Sequence, residues 1–157
     1  MVLVSPVGAL AYAAYYGARL PDTATYELLC ESVSWKEEHF QQSNHAEQIG
    51  STTIPGHYKA IKGYYDLVGN VSEMSISDSG ECSIVGGSYR DEVDGLRLTR
   101  TRSIPCIYRD LDIGFRLQYR NYDISKDVAG KIKTMNSLEL FDWLHSCLYP
   151  NTYQQKV

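Results

Sequence analysis

Four histidines and four cysteines are the side chains of this sequence best suited to metal or redox chemistry. His39, His45 and His57 lie in one polar stretch, and His145 stands apart. Two histidines and a carboxylate can hold Fe(II). The separations of 6 and 12 residues, however, match neither a helix face nor a ligand motif. These histidines therefore read as solvated loop residues. Cys30, Cys82, Cys106 and Cys147 are 52, 24 and 41 residues apart, with no CxxC pair. They read as free, mostly buried thiols, with one disulfide open to the chain if it is secreted. Gly86-Gly87 is followed by no Lys-Ser/Thr, which removes the phosphate-cradling reading and leaves a bulge or a close backbone approach. Arg97, Arg100, Arg102, Arg109, Arg116 and Arg120 form the one basic stretch. Asp91, Glu92, Asp94, Asp110 and Asp112 lie among them, so ion pairing within the chain competes with an anion- or partner-binding face. Asn70-Val-Ser72 is a glycosylation sequon, but it falls in a turn expected to be packed.

These residues must be positioned by a single domain, because 157 residues leave little room for a second. The formal charge of −4 argues against general nucleic-acid binding, which needs clustered positive charge. Thirteen tyrosines against three phenylalanines and two tryptophans favour half-buried positions and contact surfaces. No apolar run reaches the roughly 18 residues needed to span a bilayer, and the start has no basic n-region. The expectation is a cytoplasmic protein. Residues 8–18 are alanine-rich and predict a helix closed by Gly17. Asp22 can cap a second helix over 23–33, with Tyr26, Leu29, Cys30 and Val33 on one face. Residues 34–62 read as a long polar excursion that is either functional or tied down by other contacts. Short strands are expected at 82–85, at 96–102 and, most clearly, at 114–119. An amphipathic helix over 137–148 carries Leu140, Phe141, Leu144, Cys147 and Leu148 on one face.

Four motifs occur in a fixed order: Arg19-Leu-Pro-Asp-Thr-Ala-Thr-Tyr-Glu27, Gly63-Tyr-Tyr-Asp-Leu-Val-Gly-Asn-Val-Ser-Glu-Met74, Gly86-Gly-Ser-Tyr89 and Gly114-Phe-Arg116. Together they resemble the sulfatase-modifying-factor domain, the family of the formylglycine-generating enzyme, over about residues 5–118. The resemblance implies an α+β, modified C-type-lectin-like fold. Such a fold is loop-rich, with short antiparallel strands and two helices; here a C-terminal helix is appended. Residues 1–120 would then be a truncated family domain, and 121–157 an extension bearing the 137–148 helix.

The departures from the family pattern decide the chemistry expected. The catalytic family members resemble a copper oxidase, whose two cysteines bind soft Cu(I). In this sequence those positions are Asp91 and Leu96, so no copper chemistry and no catalytic residue is expected. Iron enzymes of the superfamily complete a three-histidine site with another domain, and no such domain is expected here. The tryptophans of the Gly-Asn-Val motif are Ser72 and Met74, while Glu73 is kept. By resemblance, Asp66, Gly69, Val71 and Glu73 match a Ca²⁺ site built from side chains and carbonyls. The alternative is that Asp66 and Asn70 hydrogen-bond their own turn. Variable display proteins in the family carry ligand on the segment between the Gly-Gly-Ser and Gly-Phe-Arg motifs. The matching surface runs from Tyr89 to Tyr108 and includes Arg90, Asp91, Arg97, Arg100 and Arg102.

The reading is a non-catalytic binding or regulatory domain that acts on a protein partner or a small ligand, with no nucleic acid or membrane. Two alternatives remain: an enzyme with other metal-dependent oxidative chemistry, and a subunit that completes its fold only in an oligomer. The third rests on Leu140, Phe141 and Leu144, whose apolar face and the 114–119 strand edge both need cover.

Overall fold

The structure, a computed structural model, describes residues 2–33, 37–77, 80–96, 101–119 and 124–150. Helix α1 (Pro6–Tyr15) opens with Ser5 as N-cap and Pro6 in the first turn, where a missing N–H costs nothing. Gly17, at φ +67°, turns the chain out of the helix as expected. The alanines let other elements approach closely: Ala9, Leu10, Ala13 and Ala14 are fully buried. Burying Leu10 contributes roughly 1.5–3 kcal/mol. Strand β1 (Ala18–Arg19) follows, then α2 (Thr23–Val33) and the single turn α3 (Glu37–Phe40). Asp22 caps α2, accepting from the Thr25 N–H at 2.8 Å, and its other oxygen holds Arg19 at 2.7 Å. The side chains of Cys30 and Val33 lie outside the described residues, whereas Tyr26 is fully buried.

A four-stranded sheet runs in the order β4 (Arg102–Ser103), β3 (Cys82–Val85), β2 (Ser72–Ile76), β5 (Ile113–Gly114). β2 pairs antiparallel with β3, and β3 with β4; β2 and β5 are parallel, in register Ser72↔Ile113 and Glu73↔Gly114. The expectation of antiparallel strands alone is corrected here. The 114–119 strand is corrected too. It splits between β5 and β6 (Gln118–Tyr119), and β6 forms a separate two-stranded sheet with β1. Of the expected strand at 96–102, Leu96 closes a 3-10 turn over Val93–Gly95 and Arg102 begins β4, and 97–100 lie outside the described residues.

The period-two alternation of the central strands divides the interior. Met74 and Ile76 of β2, with Cys82 and Ile84 of β3, face a large core shared with α1. Val85 faces a smaller core with Tyr26, Leu67, Val68 and Leu96. The chain closes with α4 (Ser125–Lys131), which the sequence reading did not anticipate, and α5 (Ser137–Leu148). α5 starts in a capping box, with Asn136 accepting from the Leu138 and Glu139 N–H groups and Glu139 accepting back from the Asn136 N–H. Its apolar face packs on α1 and joins the large core. Leu140, Phe141 and Leu144, expected at a contact between chains, are therefore buried within their own chain. Folding back covers the apolar face at once. The described residues make an α+β fold with five α-helices, a 3-10 turn over Val93–Gly95 and two small sheets. Among them no helix is long and apolar enough to cross a membrane.

The polar excursion is tied down. Asn70, at φ +60°, accepts from the Thr53 N–H at 2.8 Å and donates to the Thr53 carbonyl. Its own N–H donates to the Asn44 carbonyl at 2.8 Å. Gly69 sits at φ +71°, and a Cβ there would lie 2.4 Å from the Asn44 oxygen, so only glycine fits this approach.

Candidate functional site

The Gly86–Asp91 turn projects from the end of β3. Gly87 is at φ +67°, and a Cβ there would come within 2.9 Å of the Gly95 carbonyl oxygen. The close backbone approach expected of these glycines is therefore present. The turn is pinned from three sides. The Ser88 N–H and hydroxyl donate to Asp91 Oδ2 at 2.7 and 2.9 Å. The Tyr89 N–H donates to the Asn70 carbonyl, and the Tyr89 carbonyl accepts from the Glu47 N–H at 2.7 Å. Asp112, just before β5, lies with Oδ2 3.1 Å from the Ser88 hydroxyl. Ser88 is fully buried, which keeps its hydroxyl away from any incoming substrate.

Outside this anchor the side chains are charged and reachable. Arg90 is 41% exposed, stacks over the Tyr89 ring at 5.3 Å and donates from Nε to the Tyr89 hydroxyl at 3.1 Å. Its Nη1 lies 3.7 Å from both Asp110 and Asp112, so the guanidinium is oriented but only weakly paired. The Tyr89 contact and then the Asp112 charge push the Arg90 pKa up. The Tyr108 hydroxyl donates to Asp110 at 3.1 Å. The Leu111 N–H, and after it Tyr108, hold the Asp110 carboxyl below its ordinary value, while the Asp110 contact raises Tyr108. Arg102 lines two hollows. One, of about 150 Å³, also touches Ser72, Gly87 and Asp91; the other, of about 220 Å³, touches Pro105 and Tyr108. The tertiary structure thus gathers Tyr89, Arg90, Asp91, Arg102 and Tyr108 of the expected surface. Arg97 and Arg100 lie outside the described residues. Sequence reasoning named Asp110 and Asp112 only as neighbouring charges and Ser88 only as part of the Gly-Gly-Ser-Tyr motif. The Ser-x-x-Asp spacing of Ser88 and Asp91 was the available signal, as a side chain capping its own turn.

The residues proposed for calcium form a different structure. Glu73 is buried, and both its carboxylate oxygens are taken. Oε2 accepts from the Tyr26 hydroxyl at 2.8 Å and Arg116 Nε at 2.6 Å, and Oε1 pairs with Arg116 Nη2. The same Nη2 donates to the carbonyls of Tyr65 and Asp66 at 3.2 and 3.3 Å. Asp66 Oδ2 accepts from the Gly56 N–H at 3.0 Å, and the Gly69 N–H donates to the Gly86 carbonyl. A calcium ion at Asp66, Gly69, Val71 and Glu73 needs six or more oxygens. Here a guanidinium already takes the Glu73 carboxylate and the Asp66 carbonyl, and its charge repels a second cation. The residues do not fit Ca²⁺. Burial, and then the Glu73 charge, pushes the Tyr26 hydroxyl well up.

His45 is a further correction: it is buried, with Nδ1 3.0 Å from the Ser43 carbonyl and Nε2 3.2 Å from Gln48, whereas His57 is exposed. His145 is also buried, its ring stacked on Phe141 and Tyr149. Among the described residues no three His, Cys, Asp or Glu side chains gather as metal ligands. Cys82, Cys106 and Cys147 are free. Burial pushes the Cys82 thiol up to about 12 and raises Cys106, as for inert structural thiols.

Solved structures share this fold, two of them as follows. Treponema denticola variable protein 1 is similar over 64% of this chain and 46% of its own, at 24% identity and a TM-score of 0.55. CarF is similar over 74% of this chain and 65% of its own, at 21% identity and a TM-score of 0.52. The chain therefore spans about half of the first and just under two thirds of the second. At these identities the likeness is one of fold. No family model matches the chain, and no curated protein sequence does.

Proposed function

We propose that this chain is a non-catalytic member of the sulfatase-modifying-factor family with a modified C-type-lectin-like fold. In this reading it is a binding or regulatory domain that engages a protein or a small ligand, with neither nucleic acid nor membrane as partner. The observation that carries the reading is the convergence of Tyr89, Arg90, Asp91, Arg102 and Tyr108 on the pinned Gly86–Asp91 turn. Tyrosine and arginine dominate the energetics of protein contacts because they offer large area and directional hydrogen bonds at low entropic cost. Of these, Arg90, Arg102 and Tyr108 are exposed above a rigid backbone and available to a ligand, while Tyr89 is buried and Asp91 caps Ser88. The positions of the family's copper thiolates add support. Asp91 caps Ser88 and Leu96 fills the smaller core, so both have structural work of another kind.

Two measurements test the reading. With copper supplied, a sulfatase-type cysteine peptide should keep its mass; appearance of the aldehyde product would overturn the non-catalytic assignment. Peptides selected from a displayed library on the immobilised protein should lose at least tenfold in affinity to the Arg90→Ala/Tyr108→Ala variant. Selected binders that hold the variant equally well would move the site elsewhere.

A further inference from the structure

The hollow of about 150 Å³ beside the Gly86–Asp91 turn lies across one face of the four-stranded sheet. Strand register sets its floor. Arg102 of β4 stands opposite Ile84 of β3, and Ile84 stands opposite Met74 of β2. Side chains alternate along a strand, so Ser72, two residues before Met74, points to that same face. Gly87, Asp91 and Gly95 close the hollow from the side of the turn.

Three polar groups at this hollow keep bonding capacity that the described residues do not use. Ser72 is 5% exposed, and its hydroxyl has no hydrogen-bond partner among the described residues. A buried hydroxyl left unpaired is unfavourable, and a ligand that pairs it removes that cost. Asp91 spends Oδ2 on the Ser88 N–H and hydroxyl. Its Oδ1 lies beside Gly95, 3.1 Å from where a Cβ there would stand, and accepts from none of the described residues. The Arg102 guanidinium makes no hydrogen bond and no ion pair among the described residues. Asp91 and Arg102 therefore line one small hollow with opposite charges and do not pair with each other. The Ser88 bonds hold the Asp91 carboxylate in place, which keeps the two charges apart.

We propose that this hollow binds a small free α-amino acid as its zwitterion, with the ammonium against Asp91 Oδ1, the carboxylate against Arg102 and the Ser72 hydroxyl bonded to the ligand. A guanidinium offers a carboxylate paired parallel N–H donors, and a carboxylate oxygen accepts from an ammonium. Charge selects the zwitterion. A ligand carrying only a negative charge meets repulsion from Asp91, and one carrying only a positive charge meets repulsion from Arg102. The terminus of a peptide brings one of the two charges, whereas a free amino acid brings both. Volume selects a small one. Pockets for drug-sized ligands span roughly 300–1,000 Å³, so this hollow leaves room for a short side chain against Ile84 and Val85. The inference rests on the binding reading above and deepens it by naming the class of its small ligand.

The test is isothermal titration calorimetry of the full chain with alanine. Saturable binding at one site per chain is expected. N-acetylalanine, which lacks the ammonium, and alaninamide, which lacks the carboxylate, should each bind at least tenfold more weakly, as should phenylalanine. Arg102→Gln should weaken alanine binding at least tenfold, and Ser72→Ala several-fold. Arg102 is exposed, so its variant should keep the parent melting curve; if it does not, Ser72→Ala decides in its place. No saturable binding of alanine, parent-like binding by both variants, or equal binding of N-acetylalanine, alaninamide or phenylalanine would each overturn the proposal. Such a failure, with selected peptides still losing affinity to the Arg90→Ala/Tyr108→Ala variant, would overturn the amino-acid site alone and leave the binding reading standing.

Discussion

Replacing Glu73 by glutamine keeps the side chain's shape and removes its charge, and the consequence can be sized from its contacts. In the parent, a buried carboxylate accepts from the Tyr26 hydroxyl and from two nitrogens of Arg116. In Glu73→Gln one oxygen becomes an NH2 donor, so Arg116 and Tyr26 are left with a single neutral amide oxygen besides the Tyr65 and Asp66 carbonyls that Arg116 already holds. Removing one partner of a buried ion pair costs about 3–5 kcal/mol. The Arg116 side chain is 25% exposed, so water recovers part of that and the lower end, about 3 kcal/mol, is expected. For a chain of this length the melting temperature should fall by roughly 6–12 °C. Urea titrations of the parent, Glu73→Gln, Arg116→Met and the double variant should give a coupling of more than about 1.5 kcal/mol, because each single change strands the other partner. EGTA should leave the parent's melting curve unchanged. A coupling near zero would refute the ion-pair account. An EGTA-induced loss of stability that disappears in Glu73→Gln would instead put a cation where the structure has a guanidinium.

Gly69→Ala should lower stability sharply, by about 3 kcal/mol or more, since its Cβ would meet the Asn44 carbonyl at 2.4 Å and φ is positive; thermal melts read this, and a neutral effect would show that the excursion is not anchored there. Leu144→Ala should cost about 2–5 kcal/mol, because the side chain is fully buried in the core shared with α1. The loss should not depend on protein concentration, and a concentration-dependent melt would point to a contact between chains. Alkaline stability reports on Tyr26. Its pKa is raised in the folded state, so its contribution is complete below the ordinary value near 10 and is lost as the pH rises, at about 1.4 kcal/mol per unit for one proton. Tyr26→Phe should flatten the alkaline limb of a stability–pH curve by that one proton, and an unchanged slope would contradict the burial of the hydroxyl.

What was legible in the sequence is what depends on near neighbours. Gly17 and Asp22 act within one helical turn of themselves, so their types alone place the end of α1 and the start of α2. Gly87 marks a close approach for the same reason, while Gly69, read from the sequence only as a calcium position, makes another. Apolar periodicity likewise foretold that the 137–148 helix buries Leu140, Phe141 and Leu144. It carries no information on what covers them, and only the tertiary structure decided for α1 over a second chain. Strand partners were equally hidden. A two-residue strand has no periodicity to read, so the split of 114–119 between β5 and β6 depends on distant backbone groups at 72–73 and 18–19. The sites show the same division. The sequence placed acidic and basic residues in the right segments, but the partner of Glu73 was decided by chain folding. Arg116 lies 43 residues further on, and the parallel register of β2 with β5 brings it there. A carboxylate binds a guanidinium or a metal ion with the same oxygens. Which of the two stands opposite Glu73 is therefore a property of the fold and not of the motif.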